Sequence, residues 1–108
     1  MAASLVGLVV VINFPFSDLS GSKRRPALVV ADWNSEDVIL CQITSVNNND
    51  SLAVLLSNAD FSTGSLLRNS YVRPNKLFIA DKRTLLQQVG LIKDDKFQEI
   101  LIAIRALF

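Results

Sequence analysis

The chain has 108 residues, of which half are hydrophobic, and its 11 Lys and Arg nearly balance its 10 Asp and Glu to give a formal net charge of +1. This length suits one core and this hydrophobic content argues against disorder, so we predict a single domain over residues 1–108. Because the charge is nearly balanced, binding to a nucleic acid would have to depend on local basic clusters.

The absence of histidine excludes several kinds of catalytic site. Ser-His-Asp and Cys-His nucleophile sites, paired-histidine acid–base sites and histidine metal clusters all need an imidazole, and this chain has none. We therefore expect any catalysis to use Arg, Lys, Ser, Thr or a carboxylate, with no metal and no cofactor. The lone Cys41 lies in an apolar run, which predicts a buried thiol in a reducing compartment.

The apolar run at residues 5–12 raises the question of a membrane segment. It is too short to span a bilayer, and no Lys or Arg precedes it as in a signal peptide. We predict a cytoplasmic protein with no membrane partner.

The first half of the chain contains three runs rich in Val and Ile, which favour strands. Pro15 follows the first run and lacks the N–H that the middle of a paired strand needs. Asn- and Asp-rich stretches between the runs are typical of turns. We predict strands at residues 7–14, 27–31 and 38–45, with turns at 32–37 and 47–50.

A polar loop at residues 17–24 connects the first two predicted strands and ends in adjacent basic residues. Lys23, Arg24 and Arg25 follow a stretch of Ser, Asp and Gly, which is typical of turns. Pro26 disfavours helical backbone at Arg25, so we expect Arg25 where the loop becomes a strand. A guanidinium held on strand backbone suits phosphate binding, while the alternative is that the three cations only keep the loop solvated.

The second half of the chain predicts further strands and one helix. The segment at 81–88 is either one helical turn or irregular and is closed by Gly90, whereas the last segment repeats apolar residues at helical spacing. Asp95 and Gln98 resemble a capping box, with Asp94 at the positive end of the helix. We predict strands at 52–56, 65–73 and 78–80, a loop at 58–64, a turn at 72–77, and an apolar helix face of Phe97, Ile100, Leu101, Ile104, Leu107 and Phe108.

Several short strands followed by one helix favour a small, strongly bent antiparallel barrel with the helix packed against it. The segment SDLSGSKRRPALVV resembles the first signature of the MazF/PemK-like toxin ribonucleases, in which a loop precedes an Arg-Pro pair that opens a strand. The segments ILCQITS and LLRNSYVRPNKLF follow in the order that this family requires. The resemblance implies a mainly β, SH3-like barrel with a C-terminal helix, an architecture shared with gyrase-poisoning toxins, and a homodimer.

The resemblance also implies a function. The protein would be the toxin of a type II toxin–antitoxin system and would cut single-stranded RNA at short specific sequences without a metal. The products would be a 2′,3′-cyclic phosphate and a 5′-hydroxyl. Its partners would be RNA and a cognate antitoxin, and we expect a disordered acidic antitoxin tail to bind the Arg25 loop beside Phe14 and Phe16.

The same resemblance assigns roles to particular residues. Arg25 would be catalytic, and Thr44, at the end of the third strand, would assist it. A guanidinium can bond two phosphate oxygens at once, which a Lys cannot do. RNA-binding roles would fall to Lys23, Arg24, Ser45, Arg68 and Ser70.

Other interpretations remain open at the level of the sequence. Strand alternation places residues 68 and 70 on one face and 73 on the other. Tyr71 and Phe78 either stack on bases or belong to the core. A non-enzymatic toxin on the same barrel is a second functional hypothesis, because fold does not fix function. An inactive family member is a third, motivated by Leu8 and Val46, where relatives carry an acidic residue and a glutamine.

Overall fold

The structure is a computed structural model that describes residues 4–15, 22–46 and 50–108. Within these residues seven strands and one α-helix follow one another, with short 3₁₀ turns at Asn58–Asp60 and Lys82–Thr84. The strands are β1 (Leu8–Pro15), β2 (Ser22–Asp32), β3 (Asp37–Thr44), β4 (Val54–Leu56), β5 (Phe61–Gly64), β6 (Ser70–Asp81) and β7 (Leu85–Ile92), and the helix is α1 (Asp94–Arg105).

All seven strands belong to one antiparallel sheet in the order β4-β6-β3-β2-β1-β7-β5. The first three strands are consecutive hairpin neighbours, whereas β6 returns to the outside of β3 and β7 to the outside of β1. Irregular pairing in β7, β2 and β6 lets the sheet curl into a half-barrel. The predicted mainly β architecture with a C-terminal helix is confirmed.

Apolar side chains cover both faces of this sheet. We call the face under α1 the helix face, and the opposite one the distal face. Buried residues of the helix face are Val9, Leu28, Cys41, Ile43, Leu56, Phe61, Val72 and Ile92, which pack with Phe97, Ile100 and Ile104 of α1. A second buried cluster on the distal face comprises Val10, Ile12, Ala27, Val29, Val38 and Leu40, with the half-buried Phe78, Ala80 and Leu85 against it.

The hairpin of β1 and β2 is longer than the sequence predicts. Lys23 and Arg24 were expected in a loop at residues 17–24, but both lie on β2, paired with Phe14 and Asn13. The partner strand supplies the backbone hydrogen bonds, so polar side chains do not prevent extended pairing here. Residues 17–21 of the predicted loop lie outside the described residues.

Two segments that were not predicted as strands contain strand residues. Residues 61–64, expected in a loop, form β5. The segment at 81–88, expected as one helical turn or irregular, contains the 3₁₀ turn Lys82–Thr84 and the first half of β7 from Leu85. The Asp81 carboxylate accepts a hydrogen bond from Arg83 N at 2.8 Å, which begins this 3₁₀ turn. Gly90 lies inside β7 and pairs with Gly64 of β5.

β6 continues through the predicted turn at residues 72–77. Pro74 lies within it at a bulge, because the pairing moves from Ile43 with Val72 to Cys41 with Leu77. Residues 73–76 therefore lie opposite Gln42 alone, and a bulge is where a strand tolerates a proline.

α1 packs on the sheet as its periodicity predicts, but its two ends differ from the prediction. The helix begins after Lys93 with no side-chain cap, so the capping box of Asp95 and Gln98 is not formed. It ends at Arg105, which leaves Phe108 94% exposed outside the helix. Among the described residues, no helix has the length and apolar character needed to cross a membrane.

Candidate functional site

The pairing of β2 changes at Pro26. β2 pairs with β1 from residue 22 to 28, but it pairs with β3 only from Ala27 onward. Proline has no N–H to donate, so a strand that contains one is readily paired on one side alone. The strands β2 and β3 therefore separate beyond the pair of Ala27 and Gln42.

Arg25 and Thr44 are the next residues of β2 and β3 on the distal face beyond the last pair. Ala27 pairs with Gln42 in an antiparallel register, and Arg25 lies two residues before Ala27 while Thr44 lies two residues after Gln42. Residues two apart point to the same side of a strand, and directly opposed residues share a face. Arg25 and Thr44 thus lie on the distal face, on the two sides of the gap.

Local hydrogen bonds hold the Thr44 side chain at the end of β3. Its Oγ1 accepts a hydrogen bond from Val46 N at 3.2 Å and donates to Val46 O at 3.3 Å. The residue is half-buried, and its hydroxyl caps the turn that follows the strand. A phosphate oxygen that approached this hydroxyl would compete with Val46 O for its proton.

The other basic residues of β2 divide between the two faces. Lys23 alternates with Arg25 and joins it on the distal side, whereas Arg24 points to the other side; both are exposed. Ser45 is exposed directly after β3. The Phe14 side chain and all of Phe16, expected at the antitoxin surface, lie outside the described residues.

Arg68 and Ser70 do not form the shared strand face that the sequence predicts. Arg68 precedes β6 and is exposed, whereas Ser70 opens β6 opposite Leu56, is 4% exposed, and donates its hydroxyl to Arg68 O at 3.2 Å. Because Tyr71 is the residue opposite Thr44, its neighbour Ser70 must point to the helix face. Ser70 is therefore buried on the side away from Arg25 and Thr44.

The structure brings three further residues to the distal face, of which the sequence analysis had named only Tyr71, as a residue that either stacks on bases or belongs to the core. Gln42 lies opposite Ala27, and Tyr71 lies opposite Thr44. Burial alternates without a break from residue 70 to 74, so Arg73 shares the side of Tyr71. Strand alternation alone predicts that residues 71 and 73 point to one face and residue 70 to the other. The pairing of β6 with β3 is needed to show that residues 71 and 73 share the face of Thr44. Phe78, by contrast, packs against the distal core.

An ion pair fixes Arg73 beside this group. Arg73 Nε donates to Asp50 Oδ2 at 3.0 Å, and their side chains are 26% and 13% exposed. The Leu52 backbone N–H and the Arg73 guanidinium hold the pKa of the Asp50 carboxyl below its usual value. The carboxylate therefore stays charged at neutral pH and keeps Arg73 in place.

Cys41 is unsuited to act as a nucleophile. Its Sγ is buried and donates to Arg73 O at 2.8 Å, and burial raises the pKa of the thiol to about 12. The predicted buried thiol is confirmed. In the described part of the chain, no group of three His, Cys, Asp or Glu is placed to hold a metal ion.

Comparison with known families identifies the kind of protein. The family model described as "PemK-like, MazF-like toxin of type II toxin-antitoxin system" matches residues 6–108. The chain belongs to this family. Among curated proteins, no sequence matches significantly. Family membership, expected from the Arg-Arg-Pro segment and the two later motifs, is confirmed.

Solved structures of MazF-like toxins share the fold. The MazE-MazF structure (Form II) of Deinococcus radiodurans is 21% identical with a TM-score of 0.74, over 99% of this chain and 96% of that one. An endoribonuclease in complex with its cognate antitoxin, from a mycobacterial species, is 22% identical with a TM-score of 0.69, over 96% and 93%. Mycobacterium tuberculosis toxin MazF-mt6 is 18% identical with a TM-score of 0.66, over 90% and 93%. At these identities the likeness shows that the half-barrel is the MazF fold.

Proposed function

We propose that this MazF-like toxin is an endoribonuclease that cuts single-stranded RNA at short specific sequences without a metal ion. The proposal is supported by the position of Arg25 and Thr44 on one face of the sheet, just beyond the last pair of β2 and β3. Structural neighbours named as endoribonucleases support it. The phosphate to be cut would lie between Arg25 and Thr44.

The chemistry we propose is transesterification by the RNA itself. The 2′-oxygen forms a bond to phosphorus as the bond from phosphorus to the 5′-oxygen breaks. The 2′-hydroxyl loses its proton and the leaving 5′-oxygen gains one, so the products are a 2′,3′-cyclic phosphate and a 5′-hydroxyl. The protein must stabilise the negative charge that develops on the phosphate oxygens.

Arg25 and Thr44 suit two parts of this task. The Arg25 guanidinium can donate two parallel hydrogen bonds to the non-bridging oxygens, and it stays charged at any working pH. The Thr44 hydroxyl can donate to a phosphate oxygen or to the leaving 5′-oxygen. The Arg25 guanidinium on β2 and the Thr44 hydroxyl on β3 would donate hydrogen bonds to the phosphate from the two sides of the gap.

Flanking phosphates would meet the other cations near this gap. Lys23 and Arg73 lie on the same face as Arg25, and the exposed Ser45 directly follows Thr44. The exposed Arg24 and Arg68 are not assigned to the gap, because Arg24 points to the other side of β2 and Arg68 precedes β6. Tyr71, opposite Thr44, offers an aromatic ring on which a base can stack. Ser70, buried and bonded to the backbone, is left out of this RNA surface.

Partners of this toxin would be a cognate antitoxin and a second copy of the chain. An acidic antitoxin segment would bind over the basic distal face, in competition with RNA. Exposed apolar side chains, including Ile79 at 66% and Ile102 at 64%, offer surface for a homodimer. Light scattering at micromolar concentration should give twice the 11.9 kDa chain mass, and a mass of one chain would contradict the dimer.

Mapping the ends of RNA fragments tests the proposed function. The purified toxin should cut a long single-stranded RNA in EDTA as fast as in Mg²⁺. Each cut should leave a 2′,3′-cyclic phosphate on the upstream fragment and a 5′-hydroxyl on the downstream fragment. Cleavage that needed Mg²⁺, or fragments with 5′-phosphates, would contradict the mechanism. A folded chain that left all RNA intact would favour a non-enzymatic toxin, which a DNA gyrase assay would then detect, or an inactive family member.

A further inference from the structure

Among the described residues of the segment between β3 and β4, Asp50 reaches Arg73 of β6 through its carboxylate. Asp50 Oδ2 accepts the hydrogen bond of Arg73 Nε at 3.0 Å, across 23 positions of sequence. Asp50 Oδ1 accepts from Leu52 N at 3.0 Å, and Asp50 O accepts from Ala53 N at 3.2 Å. One oxygen of the carboxylate thus shapes the turn before β4, and the other holds the arginine.

The arginine that Asp50 holds lies in the β6 bulge, on the face that carries Thr44. Asp50 engages Nε, which lies at the side of the guanidinium. In the part of the chain that the structure describes, the two terminal amino groups of Arg73 bond no other side chain. Those two groups form a donor pair suited to a phosphate.

A long arginine side chain loses rotamer freedom when it binds a ligand, and a partner that has already ordered it lowers that cost. Asp50 can hold the Arg73 side chain in one conformation, because the Asp50 side chain is only 13% exposed and accepts a hydrogen bond from Leu52 N. The charge of Lys76 also contributes to the lowered pKa of Asp50, so two cations lie near this carboxylate.

We propose that Asp50 is a positioning residue of the RNA site: it holds the Arg73 guanidinium ready for a phosphate that flanks the cut. This inference rests on the proposed function of the same face. Asp50 itself does not touch RNA, so its effect must pass through Arg73. Loss of the Asp50 carboxylate should therefore weaken RNA binding more than it slows the chemical step.

The test compares Asp50→Asn, Arg73→Ala and the double variant with the wild type. In Asp50→Asn the amide oxygen can still accept from Leu52 N, but the NH₂ group then faces a guanidinium that has only donors. Asp81→Asn is the matched control, because Asp81 also holds an arginine, Arg83, at 2.7 Å and lies at the other end of β6. Thermal unfolding checks that each variant folds.

KM and kcat are measured with a labelled RNA, and Kd is measured with a fluorescent 2′-O-methyl RNA of the same sequence, which cannot be cut. Asp50→Asn should raise KM and Kd about three- to tenfold with kcat nearly unchanged, because ordered binding is lost in ground and transition states alike. Arg73→Ala should raise both further, and adding Asp50→Asn to it should change nothing more. Asp81→Asn should match the wild type.

Two results overturn the proposal. The first is an Asp50→Asn protein with wild-type KM and Kd. The second is an Asp50→Asn substitution that raises KM and Kd by the same factor in the Arg73→Ala protein as in the wild type. A wild type that cuts no RNA refutes the proposed function, yet the Kd comparison still decides the role of Asp50. A wild type that binds no 2′-O-methyl RNA overturns the role of Asp50 as well.

Discussion

Thr44 and Ser70 show how strand register places two hydroxyl residues on opposite faces of the sheet. Both residues belong to neighbouring strands, and both are small hydroxyl residues in segments that resemble family motifs. Thr44 is half-buried at a strand end on the distal face, while Ser70 is 4% exposed on the helix face. The identity of the side chains does not distinguish them, since a shift of one residue exchanges the two faces.

Ser70→Ala should affect stability rather than cleavage. The substitution removes the hydroxyl that donates to Arg68 O at 3.2 Å, so the free energy of unfolding should fall by about 1 kcal/mol. The folded variant should cut RNA at the parental rate. Urea unfolding and single-turnover cleavage measure the two effects separately. A large loss of cleavage at parental stability would return Ser70 to the RNA surface.

At the scale of elements, the contact between β5 and β7 depends on glycine. A Cβ at Gly90 would lie 2.3 Å from Thr63 O, and Gly64, its partner on β5, has a φ of +74°. Neither strand can move away without losing the pairing of the sheet edge. The close approach of the β5 and β7 backbones therefore requires a glycine at position 90.

Gly90→Ala should destabilise the fold by about 1–3 kcal/mol, as expected when extra volume is forced into a packed contact. Gln88→Ala, at an exposed position of the same strand, is the control and should change the free energy of unfolding by less than about 0.5 kcal/mol. Denaturant titration of both variants gives the measurement. Equal stabilities would show that β5 is not held against β7 as described.

The apolar strands could be predicted from the sequence, but the polar ones could not. Runs of Val and Ile predicted β1 and β3 to within one residue at each end and the apolar half of β2, because the side chains of these runs are buried on both faces. The polar first half of β2, from Ser22, was not predicted. β5 ends in Gly64, a residue type depleted in strands, and β7 contains the polar pair Gln87 and Gln88 together with Gly90. These strands form because a neighbour supplies their hydrogen bonds, and that partner is distant in sequence.

The candidate site could be predicted only in part, because it too depends on strands that are distant in sequence. Arg25 could be recognised from the adjacent Pro26 and from the family motif. Its placement on the same face as Thr44 depends on the pairing of β2 with β3, and the inclusion of Arg73 depends on the pairing of β3 with β6. Register between strands is a property of the folded sheet, so local patterns do not determine it.

At the scale of the whole molecule, the candidate site draws on three strands, and ion pairs hold the turns at the other ends of β2 and β6. Asp32 accepts hydrogen bonds from Lys82 Nζ at 2.6 Å and from Leu5 N at 2.9 Å, which joins the start of the described chain to the end of β2 and the 3₁₀ turn. These bonds, the one from Lys82 first, lower the pKa of Asp32. Arg83 likewise lowers the pKa of Asp81 to about 2.

Acid should therefore destabilise the fold. A carboxyl whose pKa is lower in the folded protein than in the unfolded chain stabilises the fold above the unfolded value, near 3.8, and this contribution disappears as pH falls toward the folded value. Urea midpoints should be similar at pH 7 and 5 and lower at pH 3. Asp32→Asn should be less stable at pH 7 and should lose less between pH 5 and 3. An undiminished loss in that variant would contradict the role of Asp32.

The most direct test of the site is the single-turnover rate of RNA cleavage by Arg25→Lys. The substitution keeps the charge but removes the two-pronged phosphate contact, so the rate should fall about 10²- to 10³-fold, nearly as far as in Arg25→Ala. Thr44→Ala should be milder, and Lys23→Ala milder still. Arg24→Lys, the same change on the other side of β2, is the control and should cut at close to the parental rate. If Arg25→Lys cut within about threefold of the parent, a change worth only about 0.7 kcal/mol, Arg25 would not be the catalytic arginine of this protein.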